Sequence, residues 1–135
     1  MALTIYHNPR CSKSRKTLEL IENAKEPVTI VRYIDEPPSA ARLLELADML
    51  GIRVSAMLRT GEAAYKEAGD VPALDDDAGL AAWLARHPIV IERPIVVDDS
   101  KRKAVIDLFL LYFILNEGKI CFYFENVPRF FLCSE

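Results

Sequence analysis

Cysteine is scarce in this chain of 135 residues: Cys11, Cys121 and Cys133 are all there are. An odd count with two members near the end makes no disulfide framework, so a cross-linked secreted scaffold is excluded and a reducing, cytoplasmic setting is expected. No charged start followed by an apolar run stands at the N-terminus, so no signal peptide is expected. The longest nearly apolar run, Ala104 to Leu115, contains Asp107 and falls short of the ~20 residues that span a bilayer. Charge of one sign is lacking too. Seventeen basic and 20 acidic residues leave a net charge of −3, which gives no global attraction to nucleic acid or to a membrane surface. Metal-ligand clusters are also missing. Asp75-Asp76-Asp77 reads as the solvated, capped start of a helix, and no ligand set accompanies it, so no metal is expected; no bound organic cofactor is expected either. No repeat or low-complexity linker interrupts the chain.

What is present suits one packed domain, with 51% of the residues apolar. The stretch that organises it is Ile5-Tyr6-His7-Asn8-Pro9-Arg10-Cys11-Ser12-Lys13-Ser14-Arg15. Leu3 to Tyr6 reads as a strand, Asn8-Pro9 breaks it, and a helical pattern runs from about Ser12 to Asn23. Cys11 therefore falls where a strand hands over to the first turn of a helix. Free backbone N–H groups and the positive end of the helix dipole favour an anion there, and Arg10, Lys13 and Arg15 add cations. A thiol so placed loses its proton more readily than a free cysteine, and the thiolate is the nucleophile. The alternative is that Cys11 is a small apolar residue at a helix start. The same N–H groups suit an oxyanion.

Further along, Val28 to Val31 reads as a second strand, parallel to the first in a βαβ unit. Ser39 caps a helix with Leu43, Leu46, Ala47 and Leu50 on its apolar stripe, ended by Gly51. Ser55 is a candidate cap for a short turn. A short helical piece covers about Glu62 to Ala68, and a helix beginning at the aspartates buries Leu80, Trp83 and Leu84. Ile89-Val90-Ile91 and Ile95-Val96-Val97 read as strand pieces around Arg93-Pro94. Asp98-Asp99-Ser100 is a turn, and Lys103 to Ile106 returns as a hairpin strand.

His7-Asn8-Pro9-Arg10-Cys11-Ser12-Lys13-Ser14-Arg15 closely resembles the active-site loop of the glutathione- and glutaredoxin-dependent arsenate reductases. Leu58-Arg59-Thr60-Gly61-Glu62 and the segment from His87 to Val97 resemble two later motifs of that family, in the family's order. The resemblance covers roughly Leu3 to Ile106. It implies an α/β, thioredoxin-like fold with a mixed β-sheet over residues 1–106, a helical insertion at about 39–86, and a cis bond before Pro94. It also implies a mechanism. Cys11 attacks arsenate, Arg59 and Arg93 hold the oxyanion, glutathione serves as co-substrate, and glutaredoxin resolves the adduct so that arsenite leaves. Among supporting residues, Ser14 either bonds the Cys11 sulfur or is an ordinary first-turn serine. His7 either tunes the thiolate or satisfies a strand-end hydrogen bond. Asn8 and Arg10 line the anion loop.

The family's third oxyanion arginine belongs to a motif that is missing here; Arg102 lies a few positions earlier and does not align with it. Beyond Ile106 the composition shifts sharply, with eight of the eleven Phe and Tyr residues lying in 107–135. That segment reads either as a diverged terminal element or as an apolar, aromatic tail from a shifted reading frame. Two rival functions share the fold. Cys11-Ser12-Lys13-Ser14 has the spacing of a one-thiol, glutathione-dependent disulfide reductase. A non-enzymatic stress regulator that binds RNA polymerase usually carries a Cys-x-x-Cys switch, in which Ser14 here replaces the second thiol. A phosphatase-type Cys-x5-Arg loop is excluded, because Thr17 stands where the arginine belongs.

Overall fold

The computed structural model describes residues 3–106. Four short strands, β1 (Leu3–Tyr6), β2 (Val28–Val31), β3 (Ile95–Asp98) and β4 (Lys103–Val105), form one sheet in the order β2-β1-β3-β4. β1 and β2 run parallel, with Leu3 opposite Val28 and Tyr6 opposite Val31. β3 lies antiparallel to β1, with Ile95 opposite Tyr6, and β4 returns antiparallel to β3. The helices are α1 (Ser12–Asn23), α2 (Ala40–Leu50), α3 (Ala63–Lys66) and α4 (Asp77–Arg86). This mixed sheet with α1 as the crossover and further helices between β2 and β3 is the arrangement expected of a thioredoxin-like fold. The aromatic segment 107–135, with Cys121 and Cys133, lies outside the described residues.

Alternation along the strands gives the sheet two buried faces. Leu3 and Ile5 of β1 and Val96 of β3 pack with Ile21 of α1 and Val105. Tyr6, Ile95 and Val97 point the other way, into a larger core with Leu43 and Leu46 of α2 and Leu80, Trp83 and Leu84 of α4. Complete burial of a leucine such as Leu43 or Leu46 contributes about 1.5–3 kcal/mol each. The helix ends follow their capping chemistry. Ser39 Oγ accepts from Arg42 N at 3.1 Å, and Gly51 ends α2 at φ +67°, a left-handed conformation that glycine adopts without steric cost. Asp76 caps α4 by accepting from Gly79 N at 3.0 Å. Trp83 Nε1 donates to Asp70 Oδ1 at 3.1 Å, and the Trp83 ring stacks on His87 at 4.2 Å between centroids, which gives His87 a packing role.

Three local expectations are corrected. Ser55 caps nothing: it lies inside a 3-10 turn, Val54–Met57, whose N-cap is Arg53. The piece expected over Glu62 to Ala68 is only the single turn of α3. Ile89 and Val90 belong to a 3-10 turn, Pro88–Val90, because Pro88 sits at its first position, where a missing N–H costs nothing. Ile91 alone pairs, in an isolated antiparallel bridge with Leu58.

Candidate active site

The site begins with the loop that joins β1 to α1. His7 N donates to Val31 O at 2.8 Å, so the end of β1 is still tied to β2 as the chain leaves the sheet. Asn8 then folds the chain back: its backbone O accepts from Cys11 N and its Oδ1 accepts from Arg10 N, both at 3.0 Å. Arg15 reaches back from α1, donating from Nη1 to Pro9 O at 2.8 Å. Ser14 is fully buried and closes the loop. Its hydroxyl accepts from Asn8 N at 3.0 Å and lies 2.6 Å from His7 Nδ1.

Cys11 is the N-cap of α1, extended at φ −92°, ψ 121°, with its side chain making no cap bond. The sulfur is half-buried at the amino end of the helix. Burial pushes the thiol up, but the backbone N–H groups of Ser14 and Lys13 and the guanidinium of Arg93 outweigh it, and the net shift is below the ordinary cysteine value. Ser14 thus acts on the sulfur through its nearby backbone N–H, without an aligned cap bond, while its hydroxyl is engaged by Asn8 and His7. His7 is held below the ordinary histidine value, by burial first and then by the charges of Arg32 and Arg15.

The two arginines arrive from segments far apart in sequence, and backbone pairing brings them together. Around the Leu58–Ile91 bridge, Arg59 N donates to Val90 O at 2.7 Å and Glu92 N donates to Met57 O at 2.8 Å. The two chains therefore run side by side, and each continues into an arginine. Arg93 stands immediately before Pro94, across a cis peptide bond, at the entrance to β3. Its guanidinium reaches the Cys11 sulfur, and despite the cost of burial that contact raises its basicity further. Arg59 is linked at one remove. Glu62 Oε1 lies 2.6 Å from Arg59 Nη1 and 3.7 Å from Arg93 Nη2, so one carboxylate oxygen faces both guanidiniums.

Two residues of this neighbourhood escaped the sequence reading. Glu62 stands within the Leu58–Glu62 motif but drew no attention beside Arg59. Tyr33 lies two residues past β2, at the same edge of the sheet as the Cys11 loop, and its ring is 1% exposed. Burial holds its hydroxyl above the ordinary tyrosine value, against the pull of Arg93 and Asn8, so the phenol keeps its proton. An aromatic with a polar tip beyond the carboxyl end of a strand parallel to β1 was the available signal, since open sheets bind ligands there. Among the described residues, Tyr33 Oη, Arg59 Nη1, Arg93 Nε and Asp98 Oδ2 are buried side-chain atoms without an aligned hydrogen bond. Three of the four belong to this cluster, and a buried donor left unmet costs about 1–3 kcal/mol. A charged group rich in acceptor oxygens would suit the donors of this set.

The remaining candidates are placed less centrally. Asn8 is buried in the loop, whereas Arg10 contributes its backbone N–H and turns its side chain to solvent. Arg102 faces α2, 3.6 Å from Glu45 and 3.5 Å from Asp48. No group of three or more His, Cys, Asp or Glu residues placed to hold a metal occurs among the described residues, and no described helix is long and apolar enough to cross a membrane.

A sequence model of the ArsC family matches residues 6–106. An arsenate reductase of Yersinia enterocolitica is 42% identical over 95 residues, spanning 70% of this chain and 67% of that protein. Another, from Neisseria meningitidis, is 44% identical over 101 residues, spanning 73% of this chain and 86% of its own. The solved structure of an arsenate reductase from Vibrio cholerae aligns with a TM-score of 0.70 and 43% identity, covering 78% of this chain and 89% of that one.

Proposed function

The chain belongs to the ArsC family, and from that premise we propose that it is an arsenate reductase whose nucleophile is the Cys11 thiolate. Arsenate is a tetrahedral oxyanion, so attack on it needs a nucleophile charged near neutral pH and cations that take up charge on its oxygens. In this reading Cys11 Sγ bonds to arsenic and one oxygen leaves as water or hydroxide. Arg93, beside the sulfur, and Arg59 hold the remaining oxygens and stabilise the crowded transition state. Glutathione sulfur then attacks the arsenic of the Cys11–arsenate adduct, and a second oxygen leaves as water or hydroxide. Glutaredoxin's thiol takes up the glutathione sulfur, and the two electrons released as that disulfide forms reduce As(V) to As(III). Water then hydrolyses the Cys11–As(III) bond, completing the oxygens of arsenite and returning the Cys11 thiol. The route needs one protein thiol, and a reducing cytoplasm would keep Cys11 in that state.

The observation that supports this reading is a thiol at a helix N-cap position whose pKa is lowered in part by Arg93, with Arg59 joined to Arg93 through the Glu62 carboxylate. A disulfide reductase acting on glutathione adducts would use the same thiol and could use cations for the glutathione carboxylates, so the two readings are separated by substrate rather than by charge. The test is arsenite production in the presence of glutathione and glutaredoxin, comparing the protein with Cys11→Ser and running a mixed-disulfide substrate alongside. The expected result is arsenite from the parent and none from the variant. Equal production by both, or turnover of the mixed disulfide alone, would overturn the assignment.

A further inference from the structure

We propose that Glu62 is a resident carboxylate that occupies the oxyanion position between Arg59 and Arg93, competes with substrate for it, and thereby sets the apparent affinity for arsenate. The inference rests on the reading that these two arginines hold the oxyanion.

Glu62 has no architectural duty that explains where its carboxylate goes. It is the N-cap of α3, but its side chain makes no capping bond. The turn around it is built by backbone alone: Glu62 N donates to Arg59 O at 3.1 Å, and Glu62 O accepts from Tyr65 N and Lys66 N, both at 3.1 Å. The carboxylate instead folds back three residues onto Arg59 and leans toward Arg93, so that one oxygen stands at 2.6 and 3.7 Å from the two guanidiniums. An oxygen of a bound tetrahedral oxyanion would take that same place.

Glu62 fills the position poorly. Arg59 Nη1 is buried and lacks an aligned hydrogen bond despite its proximity to the carboxylate, and Arg93 Nε lacks one as well. A carboxylate tethered at 62 has two oxygens fixed in one plane. A free oxyanion has four in a tetrahedron and can align with donors that Glu62 leaves unmet. The exchange is also sterically open. The Glu62 side chain is one-quarter exposed, so it can swing into solvent without unpacking the core. Arrival of an anion beside an undisplaced carboxylate would place like charges in contact, which is why displacement rather than sharing is expected. The resident charge also keeps two guanidiniums from repelling one another while the site waits, and it discriminates against weak anions that cannot dislodge it.

The test compares Glu62→Gln with the parent and with Glu67→Gln, which removes the same charge from the exposed C-cap position of the same short helix. Two readouts are used. The first is the KM for arsenate. The second needs no turnover: the concentration of inorganic phosphate that half-protects Cys11 from iodoacetamide, scored by mass spectrometry on the Cys11 peptide. Competition predicts that Glu62→Gln lowers both values roughly two- to fivefold, or about 0.4–1 kcal/mol at 1.4 kcal/mol per tenfold, while Glu67→Gln leaves them unchanged. Values that rise in Glu62→Gln would mean that the carboxylate positions the arginines for substrate, and the inference fails. Unchanged values, or an equal fall in Glu67→Gln, overturn it too. If phosphate protection tightens as expected while the parent makes no arsenite, the oxyanion competition stands and the reductase assignment falls.

Discussion

Replacing Ser14 by alanine should cost this protein about 2 kcal/mol of stability while leaving the reactivity of Cys11 nearly intact. The estimate comes from the two contacts that one hydroxyl makes. It accepts from the buried Asn8 N–H at 3.0 Å and pairs with buried His7 Nδ1 at 2.6 Å. Alanine leaves both without a partner in a place that water does not reach, and an unmet buried group costs about 1–3 kcal/mol. The side chain removed is small, so little cavity cost adds to that. In a domain of this size a loss of 2 kcal/mol lowers the melting temperature by roughly 10 °C, at about 4–8 °C per kcal/mol. Urea unfolding measures the first quantity and a thermal scan the second, with the exposed Ser12→Ala as control, expected within about 0.5 kcal/mol of the parent. Iodoacetamide labelling of the Cys11 peptide measures the reactivity. The backbone N–H of residue 14 survives the substitution, so labelling at fixed pH should stay within a few-fold of the parent. If Ser14→Ala proves as mild as Ser12→Ala, the hydroxyl does not fasten the loop. If labelling collapses, the hydroxyl rather than the backbone supports the thiolate. Either result refutes the reasoning.

Arg93→Met removes the charge and the donor beside the sulfur but leaves the burial. The midpoint of the labelling-versus-pH curve for Cys11 should move upward, and arsenite formation should fall by about 10²–10³, the usual cost of losing one transition-state donor; an unmoved midpoint would place the guanidinium away from the thiolate. His7 titrates below its ordinary value in the folded protein, so near and below about pH 6.5 the unfolded chain binds a proton that the native state refuses. Stability should therefore be level above neutrality, fall as the pH drops through that region, and level off again below the folded pKa. His7→Gln should flatten that segment of a urea-stability profile, and an unaltered slope would assign it to other groups. Gly51→Ala should destabilise by about 1 kcal/mol in urea, since φ is +67° and an added Cβ would meet open space, leaving backbone strain as the sole cost; a neutral outcome would mean that α2 ends differently.

Local chemistry was legible in the sequence and long-range contact was not. The bounds of β1, α1 and β2 follow from an apolar run, a proline break and a helical stripe, and Ser39 and Gly51 announce the two ends of α2. Cys11 was readable as a thiol at a helix start for the same reason: its setting is made by its immediate neighbours. Ile89-Val90-Ile91 misled because a short apolar run has no period of its own, and Pro88 decided for a 3-10 turn. The convergence of Arg59 and Arg93 depends on the Leu58–Ile91 bridge, thirty-three positions apart, which no local pattern encodes. Only the resemblance of whole motifs pointed to that pair. Glu62 was missed because nothing in its own context separates it from a surface glutamate, and Tyr33 because its place past the carboxyl end of β2 marks it only once the strands are known to lie side by side.

The pairing scheme also ranks the two guanidiniums mechanically. Arg93 sits two residues before Ile95, whose partner Tyr6 leads into the thiol loop, so a single rung of the sheet ladder registers cation against sulfur. Arg59 inherits its place second-hand, from a bridge to Ile91 that is itself upstream of that rung. Positional error accumulates along such a chain of supports. The inner arm of this pincer is thus registered directly against the sulfur and the outer arm through one further bridge, so a change that slips that bridge would shift Arg59 while leaving Arg93 in place.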